Sequence, residues 1–127
     1  MTVILYTKSC KSSSKTLNFF TKNLLKFSGI NILKDDINEK LLKDILSLTE
    51  NGFHDIISKR SEILIDKGIC IDDLTTQQLI DLIVKNPIIL KRPIIIQYKA
   101  NAPYRLLVGY NVDDILIFMR EKQKSYI

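Results

Sequence analysis

The chain has 127 residues, 46% hydrophobic and 26% charged, the size and composition of one globular domain, which excludes a disordered chain. Its 2 cysteines and 1 histidine are too few for a disulfide scaffold or a four-ligand zinc site. No apolar run approaches the ~20 residues that span a bilayer, and the net charge of +5 comes from 19 scattered basic residues, a lean toward anionic partners without a defined patch.

The first residues, Met1 to Tyr6, carry no basic segment ahead of their apolar stretch, so they read as a strand and not as a secretory signal; the expected address is the cytoplasm. Val3 to Thr7 is β-branched and aromatic, the pattern of a buried strand. Lys11 to Ser28 reads as a helix, with Leu17, Phe20, Leu24 and Phe27 on one face, Ser12 or Ser13 as its cap and Gly29 just past its end. Asn31 to Asp35 reads as a short second strand. From about Asn38 the pattern is helical. Leu41, Ile45 and Leu48 form a stripe, Gly52 breaks it, and Ile56 to Lys67 holds one or two short helices ended by Gly68. Thr75 and Gln78 form a capping box ahead of Leu79, Leu82 and Ile83, and Pro87 ends that helix. Ile94 to Tyr98 and Arg105 to Gly109 read as strands joined by a turn at Ala100-Asn101-Ala102-Pro103. Asn111 caps a last helix carrying Ile115, Phe118 and Met119, and the tail from Glu121 to Ile127 is expected to fray. The order is β-α-β, a helical block, then β-β-α. It predicts an α/β fold in one domain over 1–127, a mixed-sheet core from about 1–36 and 87–127 with a helical insertion at about 37–86.

Cys10 lies at the first strand-to-helix junction, in Tyr6-Thr7-Lys8-Ser9-Cys10-Lys11-Ser12-Ser13. A helix start presents unpaired N–H groups and partial positive charge, which favour thiolate over thiol. Such placement moves a cysteine pKa from about 8.5 to roughly 3.5–7.5. Lys8 and Lys11 add positive charge, and Ser12 or Ser13 can donate a hydrogen bond to sulfur. The same donors can hold an oxyanion. The bland alternative is a buried structural cysteine. Cys70, between Ile69 and Ile71, reads as core packing. His54, with no cysteine or carboxylate at dyad spacing, reads as a surface residue.

Five segments in order carry a resemblance to the Spx branch of the ArsC-like (arsenate reductase) family. They are Val3-Ile4-Leu5-Tyr6-Thr7 with Cys10, Ile45 to Gly52, Asp55 to Ser61, Asn86 to Ile96, and Arg105 to Asn111. The resemblance implies a thioredoxin-like mixed sheet with a helical insertion, and a cis proline at Pro93 that would hold Arg92 near Cys10. It implies two candidate functions. One is a transcriptional regulator that binds the C-terminal domain of the RNA polymerase α subunit, Gly52 matching the contact glycine, and that meets DNA only together with polymerase. The other is an arsenate reductase or thiol oxidoreductase with Cys10 as nucleophile, Arg60 and Arg92 as oxyanion clamps and external thiols as reductants.

Three positions bear on the choice. Arg60 and Arg92 match both branches. The further catalytic arginine of the reductases aligns with Val108, and Arg105, three residues earlier in an extended strand, faces the other way. Ser13 stands where Spx proteins have the second cysteine of a Cys-x-x-Cys switch, so no disulfide with Cys10 is available there. The expectation is therefore a regulator with a single redox thiol, Cys10 beside Ser13, and no metal or cofactor; enzymatic turnover is the alternative.

Overall fold

The computed structural model describes residues 1–119, so the predicted fraying of the tail lies outside the described residues. Four strands, β1 (Thr2–Tyr6), β2 (Ser28–Asn31), β3 (Ile94–Lys99) and β4 (Ala102–Val108), form one sheet in the order β2-β1-β3-β4. β1 pairs parallel with β2 and antiparallel with β3, and β4 continues antiparallel. This is a thioredoxin-like mixed sheet of the α/β class, as the sequence predicts. The parallel pair needs a crossover, which is α1 (Lys11–Lys22).

Both faces of the sheet are covered, which is why β1 and β3 read as near-continuous apolar runs. Val3, Leu5, Ile94 and Ile96 point to one side, where α2 (Glu39–Leu46), α3 (Glu62–Asp66) and α4 (Thr76–Lys85) supply Leu42, Ile45, Leu64, Ile80 and Ile83. Ile4 and Ile95 point to the other, against Phe20 of α1 and Ile115 and Phe118 of a 3-10 turn at Asp114–Phe118. Phe20 meets Phe19, Phe27 and Phe118 with ring centroids 5.9, 5.7 and 5.5 Å away. Asp44 of α2 accepts from Tyr98 Oη of β3 at 2.7 Å and pairs with Lys40 at 2.6 Å, tying the helical block to the sheet.

Three helix-end predictions meet different outcomes. The Thr75–Gln78 capping box is present in full, and Gly68, with φ +61, ends α3. The first helix, in contrast, stops at Lys22 and not near Ser28. Leu24 takes the left-handed conformation, φ 56, with Leu25 N–H donating to Phe20 O and Leu24 N–H to Thr21 O. These are the two hydrogen bonds of a Schellman stop, built on a leucine where glycine is usual. Ending the helix early frees Ser28 to Asn31 to pair with Val3 to Tyr6. The second strand is therefore three residues earlier than expected, Gly29 lies inside it, and Asn31 to Asp35 is a turn closed by the Asp35 carboxylate on Asn31 N–H. The last helix is the short 3-10 turn, its first N–H groups at Asp113 and Asp114 donating to Asn111 Oδ1. No helix among the described residues is long and apolar enough to cross a membrane.

Candidate functional site

Cys10 is the N-cap residue of α1, extended at φ −90 and ψ 121, and its carbonyl accepts the first helical bond from Ser14. Neither Ser12 nor Ser13 caps the helix. The Ser13 side chain is fully buried and turns back toward the strand end, where its Oγ accepts from Thr7 N–H at 3.3 Å. That hydroxyl locks the strand-to-helix corner and leaves its hydrogen for the Cys10 sulfur.

Partial burial pushes the Cys10 thiol up. The Ser13 hydroxyl, the backbone N–H groups of Ser13 and Ser12 and the charge of Arg92 outweigh it and hold the pKa below its ordinary value. No acidic side chain occupies the first turn of α1, so a thiolate is the negative group at this helix start. The charge that acts on sulfur is that of Arg92; Lys8 and Lys11, the cations expected from sequence, are exposed.

Arg92 precedes Pro93 across a cis peptide bond and donates from Nη1 to Ile88 O at 3.3 Å. Cys10 and Arg92 line one cleft of about 650 Å³. Its other polar walls are Thr49, Glu50, Asp55, Ser58 and Lys91, facing apolar Leu48, Leu90 and Val108. Glu50, Asp55 and Lys91 escaped the sequence reading. Asp55 sat inside a matching segment, but only the fold shows what it does: its carboxylate accepts from Asn51 and Glu50 N–H at 2.9 and 3.0 Å. The Asn51 N–H is the main reason its carboxyl lies below the usual range; burial opposes this, and the Asn51 side chain, Glu50 N–H and Lys91 reinforce it.

These bonds pin the loop that carries Gly52. Gly52 has φ +63, and a side chain built there would meet nothing within 4 Å. Arg60 lies on an exposed turn two residues past Ser58, which lines the cleft, and is not itself among the lining residues. Arg105 is averted as its register predicts. Its Nη1 donates to Ile117 O on the opposite layer, and Val108 takes the cleft position.

Two readings of isolated residues are corrected. Cys70 is exposed, not core. It caps the 3-10 turn Ile71–Asp73, and the buried Ile71 beside it fills the apolar site instead. His54 has a carboxylate after all: its Nε2 lies 2.7 Å from Asp72 Oδ1, a residue 18 positions on that only the folded chain brings near. Both line a second cavity of about 420 Å³ with Leu64, Ile65 and Ile69.

Comparison with known proteins decides the family. The ArsC family model matches residues 5–118. The chain belongs to the ArsC family. A global transcriptional regulator Spx of Streptococcus agalactiae is 38% identical over 119 residues, covering 94% of this chain and 83% of that one. An uncharacterised protein of Ureaplasma parvum is 39% identical over 123 residues, covering 94% of this chain and 96% of its own. These identities place the chain on the Spx branch of the ArsC family. An arsenate reductase from Vibrio cholerae superposes with a TM-score of 0.74 over 93% of this chain and 97% of its own, at 18% identity, a likeness of fold alone.

Proposed function

We propose that this ArsC-family chain is an Spx-like transcriptional regulator. It acts in the cytoplasm by binding the C-terminal domain of the RNA polymerase α subunit through the Gly52 loop, with Cys10 as a single redox-sensitive thiol beside Ser13. The observation that carries the reading is the state of Gly52. Its positive φ favours glycine, and the space beyond its Cα is open, so a side chain there would be felt by an approaching partner and not by the chain itself. The loop is pinned by Asp55, which also walls the Cys10 cleft, so the partner face and the thiol share a border. The Spx relatives support the class of function.

A pull-down between purified chain and the α C-terminal domain tests this. Wild type binds, Gly52→Arg does not, and Gly52→Asn, which tolerates the left-handed backbone, serves as the folded control with intermediate binding. Undiminished binding by Gly52→Arg would sink the proposal.

The lowered thiol pKa of Cys10 favours a second reading, an arsenate reductase or thiol oxidoreductase drawing on external thiols. The charge of the cleft weighs against it. Lys91 and Arg92 stand opposite Glu50 and Asp55, and neither Arg60 nor Arg105 is among the lining residues, so an arsenate dianion meets no net positive wall. Arsenate turnover that disappears in Cys10→Ser would reverse the ranking.

A further inference from the structure

The sheet has two edges, β2 and β4, and the phase of the backbone hydrogen bonds shows which groups each edge leaves open. Gly109 N–H donates to Pro93 O at 2.7 Å. Opposite residues of an antiparallel pair alternate between bonded and non-bonded, so Leu107 with Ile95 and Arg105 with Gln97 are the bonded pairs of β4 and β3. The N–H and C=O groups of Leu106 and Val108 therefore point away from β3, and no partner for them is found among the described residues.

The other stretches of edge are guarded. β2 is four residues long, and its outward Asn31 is closed locally: the N–H donates to the Asp35 carboxylate at 2.8 Å and the C=O accepts from Lys34 and Asp35 N–H. At the hairpin end of β4, Pro103 stands at an outward position without an N–H. Next to it the register runs Gln97 with Arg105 and Tyr98 with Pro103, so Tyr104 is an extra residue, a bulge with no partner in β3. Short length, proline and bulges are the devices that protect a sheet edge from strand addition, and residues 106–108 have none of them. This open stretch is a wall of the Cys10 cleft, shared with Leu48, Thr49 and Glu50. Leu48, Leu106 and Val108 are half-buried against the core of the helical block, which gives the wall an apolar footing.

From this arrangement we infer that the Leu106–Val108 edge is a docking site for an extended segment of another polypeptide, which adds to the sheet beside β4. Hydrogen-bond complementarity selects the partner. The edge offers an N–H and a C=O at each of two residues spaced two apart, and the main chain of an extended peptide repeats that spacing. An anion supplies acceptors alone, and an apolar molecule supplies neither group. Charge selects the kind of segment. Lys91 and Arg92 are balanced by Glu50 and Asp55 around the cleft, which suits a segment without net charge. The inference goes beyond the regulator reading and does not rest on it, since it concerns the β4 edge and not the Gly52 loop.

The test is an NMR titration of the ¹⁵N-labelled full chain with an acetylated, amidated heptapeptide of alternating threonine and valine. At saturation the Leu106 and Val108 amides are expected to shift downfield and to exchange with solvent about tenfold more slowly. Arg105 and Leu107, already bonded to β3, are expected to keep their rates. Two further peptides carry N-methyl groups on the valine amides or on the threonine amides. The pattern that removes the N–H groups facing β4 is expected to weaken binding about tenfold or more, and the other to leave it within about twofold. Leu106→Pro removes one outward N–H and is expected to weaken binding about tenfold with an unchanged circular dichroism spectrum; the methylated peptides give the same reading without altering the protein. Uniform protection along β4, equal effects of the two methylation patterns, or protection of Leu106 and Val108 in a concentration-dependent dimer without peptide would each overturn the inference. Peptide docking without binding of the α C-terminal domain would sink the polymerase proposal and leave this one standing, and the converse result would do the reverse.

Discussion

Replacing Ser13 by alanine removes one oxygen that serves two neighbours. Ser13 Oγ accepts from Thr7 N–H at 3.3 Å in a fully buried position, and the same hydroxyl helps to hold the Cys10 thiol pKa down. An orphaned buried N–H costs about 1–3 kcal/mol, and a bond this long belongs in the lower half, so Ser13→Ala should destabilise by about 1–2 kcal/mol. For a domain of this size each kcal/mol lowers the melting temperature by about 4 °C, a fall of roughly 4–8 °C by circular dichroism. The second effect is on the thiol. Without the Ser13 hydroxyl the Cys10 pKa rises, so the pH profile of its alkylation by iodoacetamide moves to higher pH, with exposed Cys70 as the internal reference. The linkage sign follows from the depressed thiol pKa. Its stabilisation is full above the ordinary thiol value and is lost as pH falls through the depressed one. The stability gap between wild type and Ser13→Ala should therefore widen as pH rises across that window. An unmoved alkylation profile, or a gap that narrows with rising pH, would refute this account of the corner.

Ser13→Cys restores a Cys-x-x-Cys arrangement on one helix turn and should form an intramolecular disulfide with Cys10 under diamide, leaving Cys70 as the one titratable thiol; three reactive thiols after oxidation would show that the corner cannot close. Leu24→Gly should stabilise. Relief of the left-handed leucine is worth about 1–2 kcal/mol and glycine's unfolded-state freedom takes back about 0.5–1, a net gain of about 0.5–1 kcal/mol by urea denaturation. Little burial is lost, because Leu24 is 83% exposed; a loss of stability would mean that the side chain packs more than its exposure implies. Tyr98→Phe removes a hydrogen bond to a carboxylate and should cost about 1.5–3 kcal/mol at neutral pH. Burial pushes the Asp44 carboxyl up, but Lys40 and Tyr98 hold it below its ordinary value of 3.8, so this contribution is present above 3.8 and lost as pH falls through the depressed value. The gap between wild type and Tyr98→Phe should accordingly shrink in strong acid; a gap independent of pH would assign the loss to packing.

Local patterns settled much of this protein. Strands buried on both faces must be apolar throughout, and β1 and β3 are; a capping box satisfies its own helix start, and Thr75–Gln78 does. Cys10 at a strand-to-helix junction is a local feature too, since the N–H groups that favour its thiolate come from the next two residues but one, Ser12 and Ser13. Tertiary structure decided what depends on chain brought from afar. Where α1 ends was decided by Leu24, which accepts a left-handed backbone that no propensity assigns to leucine, because the early stop lets β2 pair with β1. Arg92, not the sequence-adjacent lysines, became the charge at sulfur because Pro93 and β3 set it beside the cleft. Cys70 went to the surface and His54 found Asp72 for the same reason: burial and pairing are properties of the folded surface, not of neighbours in sequence. Even the averted Arg105, whose facing could be read from strand alternation, needed the bulge at Tyr104 and the carbonyl of Ile117 to show where its charge goes. Alternation says which face a side chain leaves from, and only packing says what it meets there.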